Sequence, residues 1–203
     1  MGATKERILL AALRLFAREG YEGVSVSDVA AALGVTKGAL YRHYASKRDI
    51  FDSILRRMEA RDAAAARAHG LPEGTREEMA EAYGEASLRQ SAEFAKAMFR
   101  YWTRDEFAAC FRRMLTLEQY RDPEMGRLYQ QYLAAGPLDY MTDIFAAHGL
   151  PRPREAAVRF CAPMFLLYSV YDASEDGEAV TALADRMLDA AAEELTAGGA
   201  EKT

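Results

Sequence analysis

The chain has 203 residues, 50% of them hydrophobic and 28% charged, with a formal net charge of −5. That is the balance of a soluble globular protein long enough to bury a core without cross-links, and it excludes disordered and fibrous classes. Its two cysteines, Cys110 and Cys161, make no disulfide framework and fit no zinc spacing; no apolar run reaches the roughly 18 residues of a membrane span, and the charges scattered through the first twenty residues argue against a signal peptide or anchor. The expectation is a cytoplasmic protein with no membrane partner.

Read in order, every predicted element is a helix. Strand-like alternation is confined to Val24-Ser25-Val26, while alanine, leucine, glutamate and arginine dominate, a composition that favours helix by propensity and by period. Thr4 caps a first helix with Ile8, Ala12, Leu15 and Phe16 at helical spacing, and Gly20 ends it. Ser25 with Asp28 opens a short second helix that ends at Gly34. Thr36 caps a third, containing Ala39, Leu40 and Tyr41. Ser46 with Asp49 opens a fourth, carrying Ile50, Ile54, Leu55 and Met58. In each case a hydroxyl accepts from an otherwise unpaired amide, and the carboxylate suits the positive helix end. Leu71-Pro72-Glu73-Gly74 reads as a linker, after which Thr75 with Glu78 opens a long fifth helix towards Tyr101. Thr103 with Glu106 opens a sixth, and Asp122-Pro123 a seventh. Gly136-Pro137 should interrupt that helix, because proline lacks the amide donor and crowds the preceding turn, and Gly149-Leu150-Pro151 stops it. Pro153 begins an eighth with Pro163 as a kink inside it. A ninth runs from about Gly177 to Leu195, and from Gly198 the chain should fray. The fold class is all-α with about nine helices.

Charge is unevenly distributed along these elements. Residues 1–60 hold ten Lys and Arg against seven Asp and Glu, whereas residues 61–203 hold 16 against 24. Between Gly34 and Arg48 stand Lys37, Arg42, Lys47 and Arg48 with no acid among them. A short basic segment on an acidic body can bind a polyanion locally while the remainder stays clear of it. The same stretch has the grammar of a helix-turn-helix: two short helices joined by Leu33-Gly34-Val35-Thr36, with glycine for the tight turn and threonine for the next cap. Val29, Ala30 and Leu33 would bury one face of the first helix and Leu40 one face of the second. Lys37, Gly38, Tyr41, Arg42, His43 and Tyr44 then remain outward, on a helix narrow enough for a major groove of about 12 Å.

Residues 4–51 resemble the DNA-binding domain of the tetracycline-repressor (TetR) family of bacterial transcription regulators. The residues that carry the resemblance are Ile8-Leu9, Ala12, Leu15-Phe16, Gly20-Tyr21, Val24-Ser25-Val26, Val29-Ala30, Gly34-Val35-Thr36-Lys37-Gly38, Leu40-Tyr41, His43-Tyr44 and Ser46-Lys47, with Tyr44 where phenylalanine is more frequent. The resemblance implies a homodimer, each subunit presenting one recognition helix to a double-stranded operator and holding a small-molecule pocket in a C-terminal helical domain. The division it suggests is a helix-turn-helix domain over residues 1–48, a fourth helix linking from residue 47, and a ligand-binding and dimerisation domain over 49–203. Chemistry assigns roles within the first part. Thr36, Tyr41, Tyr44 and Lys47 are candidates for phosphates, together with Ser27 at the start of the second helix. Lys37, Arg42 and His43 are candidates for base edges. Gly38 would let backbone approach the duplex. For Tyr41 and Tyr44 the competing reading is core aromatics, and for His43 a solvent-facing or backbone-bonded imidazole.

Sixteen of the 21 aromatics fall between Tyr83 and Tyr171, interleaved with methionines. Aromatics and adaptable methionines with a few polar groups suit a small-molecule cavity, although a helical core uses the same residues. The pocket candidates are Phe99, Trp102, Phe111, Met114, Tyr129, Tyr132, Met141, Phe165 and Tyr168, with Glu118 either polar lining or a surface carboxylate near Arg121. Two stripes on the last helices suit a four-helix interface between subunits: Val158, Cys161, Ala162, Phe165, Leu166 and Ser169 on one, and Val180, Leu183, Ala184, Met187, Leu188, Ala191 and Leu195 on the other. The interface candidates are Val158, Cys161, Ala162, Phe165, Leu183, Met187 and Ala191.

No catalytic or metal constellation is legible. The three histidines, His43, His69 and His148, form no His-Glu-x-x-His pair, and neither phosphate-binding glycine motif occurs. No cofactor is implied. The function expected is a ligand-responsive transcriptional regulator, a repressor that binds a palindromic operator as a homodimer and is released by a small, largely apolar or aromatic inducer. The alternatives are a helical protein-interaction adaptor and a DNA-binding protein without a small-molecule switch.

Overall fold

The computed structural model of the chain describes residues 4–68 and 88–200. Among them are ten helices and no strand: α1 (Lys5–Glu19), α2 (Val26–Ala32), α3 (Lys37–Tyr41), α4 (Lys47–Ala68), α5 (Leu88–Arg104), α6 (Glu106–Glu118), α7 (Pro123–Leu133), α8 (Ala135–Ala147), α9 (Pro153–Ala173) and α10 (Gly177–Ala200). The fold is all-α. The Leu71–Gly74 linker and the Thr75/Glu78 start of the fifth predicted helix lie outside the described residues.

The expected caps are present over the first four helices. Thr4 accepts from the Arg7 N–H at 3.4 Å and Thr36 from the Ala39 N–H at 3.2 Å. Ser46 accepts from the Asp49 N–H at 3.1 Å, and the Asp49 carboxylate accepts from the Ala45 N–H at 2.9 Å. Downstream, Asp122 accepts from the N–H groups of Glu124 and Met125 ahead of α7, and Pro153 starts α9.

Two expectations change. Thr103 does not open α6; it belongs to α5, and its hydroxyl donates to the Phe99 carbonyl one turn back at 2.7 Å, a bond open to any threonine inside a helix. At the other end of the chain, α10 continues past Gly198 to Ala200. The Gly136-Pro137 interruption is real and makes the tenth helix. The chain breaks at Ala134 (φ −129°, ψ −89°), and a β-carbon at Gly136 would run into the Gln131 carbonyl, so only glycine fits there.

Contacts divide the chain into two compact units, residues 1–65 with 106–129 and residues 66–105 with 130–203. The first unit therefore reaches past residue 48. In it, α1 packs against α6, and the largest wholly buried side chains include Phe16, Ile8, Leu13, Leu40, Ile50, Phe51, Ile54 and Phe111. The amphipathic period of α1 places Ile8, Leu9, Ala12, Leu15 and Phe16 on one face, as the sequence pattern requires.

In the second unit, α9 packs on α8, on α10 and on α5, and α10 packs on α5. Its core gathers Ala92, Ala95, Ile144, Phe145, Phe160, Cys161 and Leu188, with Phe145 and Phe160 edge to face at 5.6 Å. Along the α5–α10 seam, ion pairs run in antiparallel register: Lys96 with Asp189, Arg100 with Asp185 and Arg104 with Glu178. No described helix is long and apolar enough to cross a membrane.

Candidate nucleic-acid interface

The helix-turn-helix over residues 25–46, the candidate reader, is built almost entirely from bonds between near neighbours. Ser25 and Asp28 form a reciprocal box: the Asp28 N–H donates to the serine hydroxyl at 3.2 Å, and the Asp28 carboxylate accepts from the Ser25 N–H at 2.7 Å. Those bonds from Ser25 hold the Asp28 carboxyl below its ordinary pKa. α2 ends with Gly34 at φ +64°, and the N–H groups of Gly34 and Val35 donate to the carbonyls of Ala31 and Ala30, both at 3.0 Å. This two-bond close turns the chain sharply and leaves few helix-end carbonyls unpaired. Thr36 then starts α3 within two residues of the glycine.

Wholly buried Leu40 anchors α3 to the unit. Of the six residues expected outward, four are exposed. Lys37, Gly38 and Arg42 are exposed and Tyr41 is 47% exposed, with the Lys37 ammonium 5.7 Å from the Tyr41 ring centroid. His43 is half-buried and Ser27 is exposed in the first turn of α2. Gly38 has φ in no special region, and an added β-carbon would meet only the Thr36 hydroxyl at 3.9 Å. The protein's own packing does not demand glycine at this position.

Tyr44 departs from the expected set. It is 6% exposed and its hydroxyl lies 3.5 Å from the Lys5 carbonyl, and burial raises its pKa. Its ring supplies core area, as the phenylalanine more usual at that place would, so it is withdrawn as a phosphate donor. Lys47 is more committed than expected. Its ammonium donates to the Tyr21 carbonyl at 3.0 Å, stands 4.3 Å over the Tyr21 ring and is 3.7 Å from the Glu22 carboxylate.

Two residues of this unit carry more than sequence reasoning gave them. Arg48 ends the acid-free segment, yet its guanidinium forks onto Glu124 at 2.6 and 2.7 Å and also donates to Asp52 at 2.7 Å. The Asp52 pair was legible as an i, i+4 spacing; nothing marks Glu124, 76 residues away. Glu118 is neither pocket lining nor surface carboxylate. It is 1% exposed and accepts the Tyr21 N–H at 2.9 Å.

The family model described as "Bacterial regulatory proteins, tetR family" matches residues 8–54. Over these residues the chain carries a DNA-binding domain of the tetR type. The transcriptional regulator AcrR of Shigella flexneri is 45% identical over 51 residues, which is 25% of this chain and 24% of that protein. The transcriptional repressor BepR of Brucella suis is 44% identical over 54 residues, 27% of this chain and 26% of BepR. The chain thus matches only about a quarter of the length of these curated relatives. Over nearly its whole length it is similar to the solved structure of the TetR-family regulator PfmR of Thermus thermophilus, with a TM-score of 0.56, 25% identity, and 90% and 97% of the two chains covered.

The pocket candidates do not share one unit. Phe111, Met114 and Tyr129 belong to the first, and Phe99, Trp102, Tyr132, Met141, Phe165 and Tyr168 to the second. Most are buried, four of them against other rings: Phe99 stacks on Tyr168 at 5.2 Å, and Trp102 meets Tyr132 edge-on at 6.3 Å. Phe165 is an exception, because it is exposed. A cavity of about 370 Å³ between the start of α9 and the end of α10 is lined by Leu150, Arg152, Arg159, Phe160 and Leu195 among others, and by none of the nine candidates. Among the described residues no three His, Cys, Asp or Glu side chains gather as metal ligands would.

The interface candidates also separate. Val158, Ala162, Phe165, Leu183 and Met187 are exposed, as is Leu166 at 67%. Cys161 points the other way, into the core with Phe145 and Phe160, and is withdrawn from the interface. Ala191 packs against that same core. The α10 stripe merged two faces: Val180, Ala184 and Leu188 are buried, while Leu183 and Met187 face out.

Proposed function

We propose that the protein is a transcriptional regulator of the tetR family, a repressor that acts in the cytoplasm by binding a palindromic operator as a homodimer. The observation that carries this is the outward face of α3, where Lys37, Gly38, Tyr41 and Arg42 are exposed on a helix held from behind by Leu40. Cations, a phenol and an unneeded glycine are what base edges and phosphates require of a helix in the major groove. On this reading Lys37 and Arg42 read bases, with His43 beside them. Thr36, Tyr41, Lys47 and Ser27 hold phosphates, and Gly38 admits the backbone of the duplex. The repressor sense draws support from relatives such as BepR that are named as repressors.

The dimer draws support from the exposed Val158, Leu166, Leu183 and Met187 of α9 and α10, since an isolated soluble chain seldom leaves so many large apolar side chains on neighbouring helices in water. Two such subunits would present their α3 helices about one helical turn (~34 Å) apart. The inducer we propose is small and largely apolar or aromatic, entering the second unit where Phe99, Trp102, Tyr132, Met141 and Tyr168 lie. It must replace ring contacts such as the Phe99–Tyr168 stack, which favours a flat apolar molecule over a charged one.

The test is duplex binding across a salt series. An operator selected from a random pool should bind with a steep loss of affinity as salt rises, and Arg42→Ala should blunt its preference over random duplex. A protein indifferent to duplex DNA at low salt would sink the reading.

A further inference from the structure

Two carboxylates hold the reader from outside it, and both come from the corner between α6 and α7. Glu118, the last residue of α6, accepts the Tyr21 N–H across 97 residues of sequence. Its carboxylate is 1% exposed, and Arg121 stands 3.9 Å from it. Glu124, in the first turn of α7, takes the two terminal nitrogens of Arg48 in a fork, the most directional of ion-pair geometries. The two residues they hold, Tyr21 and Arg48, flank the reader on either side. α2 begins five residues after Tyr21, and α3 ends seven residues before Arg48. The helix-turn-helix is thus suspended between two anchored points whose anchors are six residues apart.

The backbone is shaped to admit this arrangement. Gly20 has φ +80°, and a β-carbon there would run into the Glu118 carboxylate. Tyr21 is in turn tied inward, its carbonyl accepting from Lys47 and its ring packed on Phe16 at 5.1 Å and Phe51 at 5.3 Å. A buried carboxylate is a poor choice where only stability is needed, because its desolvation offsets most of what its bonds return. Here it is bonded to one backbone amide at the entrance to the reader.

We propose that Glu118 and Glu124 are positioning residues for DNA recognition, fixing the orientation of α2 and α3 by holding Tyr21 at one end and Arg48 at the other. The proposal rests on the reading of α3 as the DNA-contacting helix. Neither carboxylate touches the duplex; each acts through the residue it holds.

The experiment compares Glu118→Ala, Glu118→Gln, Glu124→Arg, Arg48→Glu and the double exchange Arg48→Glu/Glu124→Arg with the wild-type protein. Amide hydrogen exchange is followed at Tyr21, Val29 and Leu40, beside the urea midpoint. Affinity is measured for a duplex selected on the wild-type protein from a random pool and for an unselected duplex. Glu118→Ala leaves a buried amide unpaired, so exchange should rise at all three reader amides, and the preference for the selected duplex should fall about tenfold. Glu118→Gln keeps an acceptor oxygen and should restore both. Each single charge reversal should lose preference, and the double exchange should recover it.

If Glu118→Gln falls as far as Glu118→Ala while preference merely follows the folded fraction, Glu118 is structural and the proposal is overturned. It is equally overturned if the double exchange is no better than its parents. Should Glu118→Ala fail to fold, the Arg48/Glu124 exchange decides alone, since it alters only partly exposed groups. Were the wild-type protein indifferent to both duplexes, the DNA reading would fall, and exchange would still decide the positioning: a rise confined to the reader supports it, and unchanged exchange overturns it.

Discussion

The reader over residues 25–46 and the helical body of the second unit solve opposite problems with opposite means. The reader's geometry comes from bonds spanning five residues or fewer, as in the Ser25–Asp28 box, the Gly34 turn and the Thr36 cap, and it buries little beyond Val29, Ala30, Leu40 and Tyr44. The body is held by side chains distant in sequence, such as Phe145 with Phe160 and Lys96 with Asp189. Local bonds leave a helix free to expose its chemistry, whereas long-range packing hides it. Chemistry on the reader is therefore visible from outside, whereas rings of the body such as Phe99 and Tyr168 are spent on one another.

The comparison can be broken most forcefully at the exposed face of the body. Met187→Glu puts a carboxylate where water already reaches in a single chain, so monomer stability should change by no more than about 0.5 kcal/mol. In the proposed dimer the same charge is trapped in an apolar seam. Light scattering should then report monomers, with operator affinity lower by roughly 10²–10⁴ as the two half-sites lose their linkage. A dimer that survives would place the interface elsewhere.

The hidden core should respond to truncation in the reverse manner. Phe145→Ala removes a wholly buried ring and should cost about 3–5 kcal/mol in urea unfolding. Tyr41→Ala, on the reader, should leave the urea curve within about 0.5 kcal/mol of wild type while weakening duplex binding. Arg42→Ala belongs with Tyr41: about 1–3 kcal/mol of base discrimination should be lost at one operator position if the contact is bidentate, without change in thermal midpoint.

The two cysteines sharpen the division within α9. Burial pushes the Cys161 thiol up to about 11, and burial likewise raises Cys110, so neither should react with a thiol reagent at pH 8 until the protein unfolds. Carrying out the same labelling on Met187→Glu discriminates core from seam. A Cys161 at the interface would become reactive in the monomer; a Cys161 in the core stays closed.

The smallest expected effect lies in acid. The bond from Arg48 holds the Glu124 carboxyl below its ordinary value of 4.5, and the bonds from Ser25 hold Asp28 below 3.8. A carboxyl whose folded pKa is depressed stabilises the fold above its unfolded pKa and loses that contribution as pH falls through the folded value. Thermal midpoints should therefore fall as pH drops below about 4.5, and Glu124→Gln and Asp28→Asn should each flatten that fall. A Glu124→Gln curve parallel to wild type would mean the fork adds nothing to stability.

How much was legible follows from the range of each interaction. Ser25, Thr36 and Ser46 were readable as caps because a cap closes within three residues. The Gly34 turn, the buried Leu40 and the outward Lys37, Tyr41 and Arg42 followed from spacing alone. Tyr44 was misplaced because α3 stops at Tyr41, so a helical wheel continued through residue 44 assigns the wrong side. Thr103 was misread as a cap because a hydroxyl serves equally well bonded back to Phe99. Cys161 and Met187 were grouped as one interface because apolar stripes three and four residues apart look alike whether they face a core or a partner.

By itself, then, the sequence determined the helical class, the starts and stops of the short helices, the charge contrast between reader and body, and the chemistry offered on α3. Each depends on groups close along the chain, where backbone geometry leaves few choices. Only the tertiary structure decided that Glu118 meets Tyr21 and Glu124 meets Arg48, that Phe99 spends its face on Tyr168, and that Leu166 faces out while Cys161 faces in. Those pairings join residues or faces whose proximity depends on how whole helices pack, and an amphipathic period says which side of a helix is apolar without naming what will cover it.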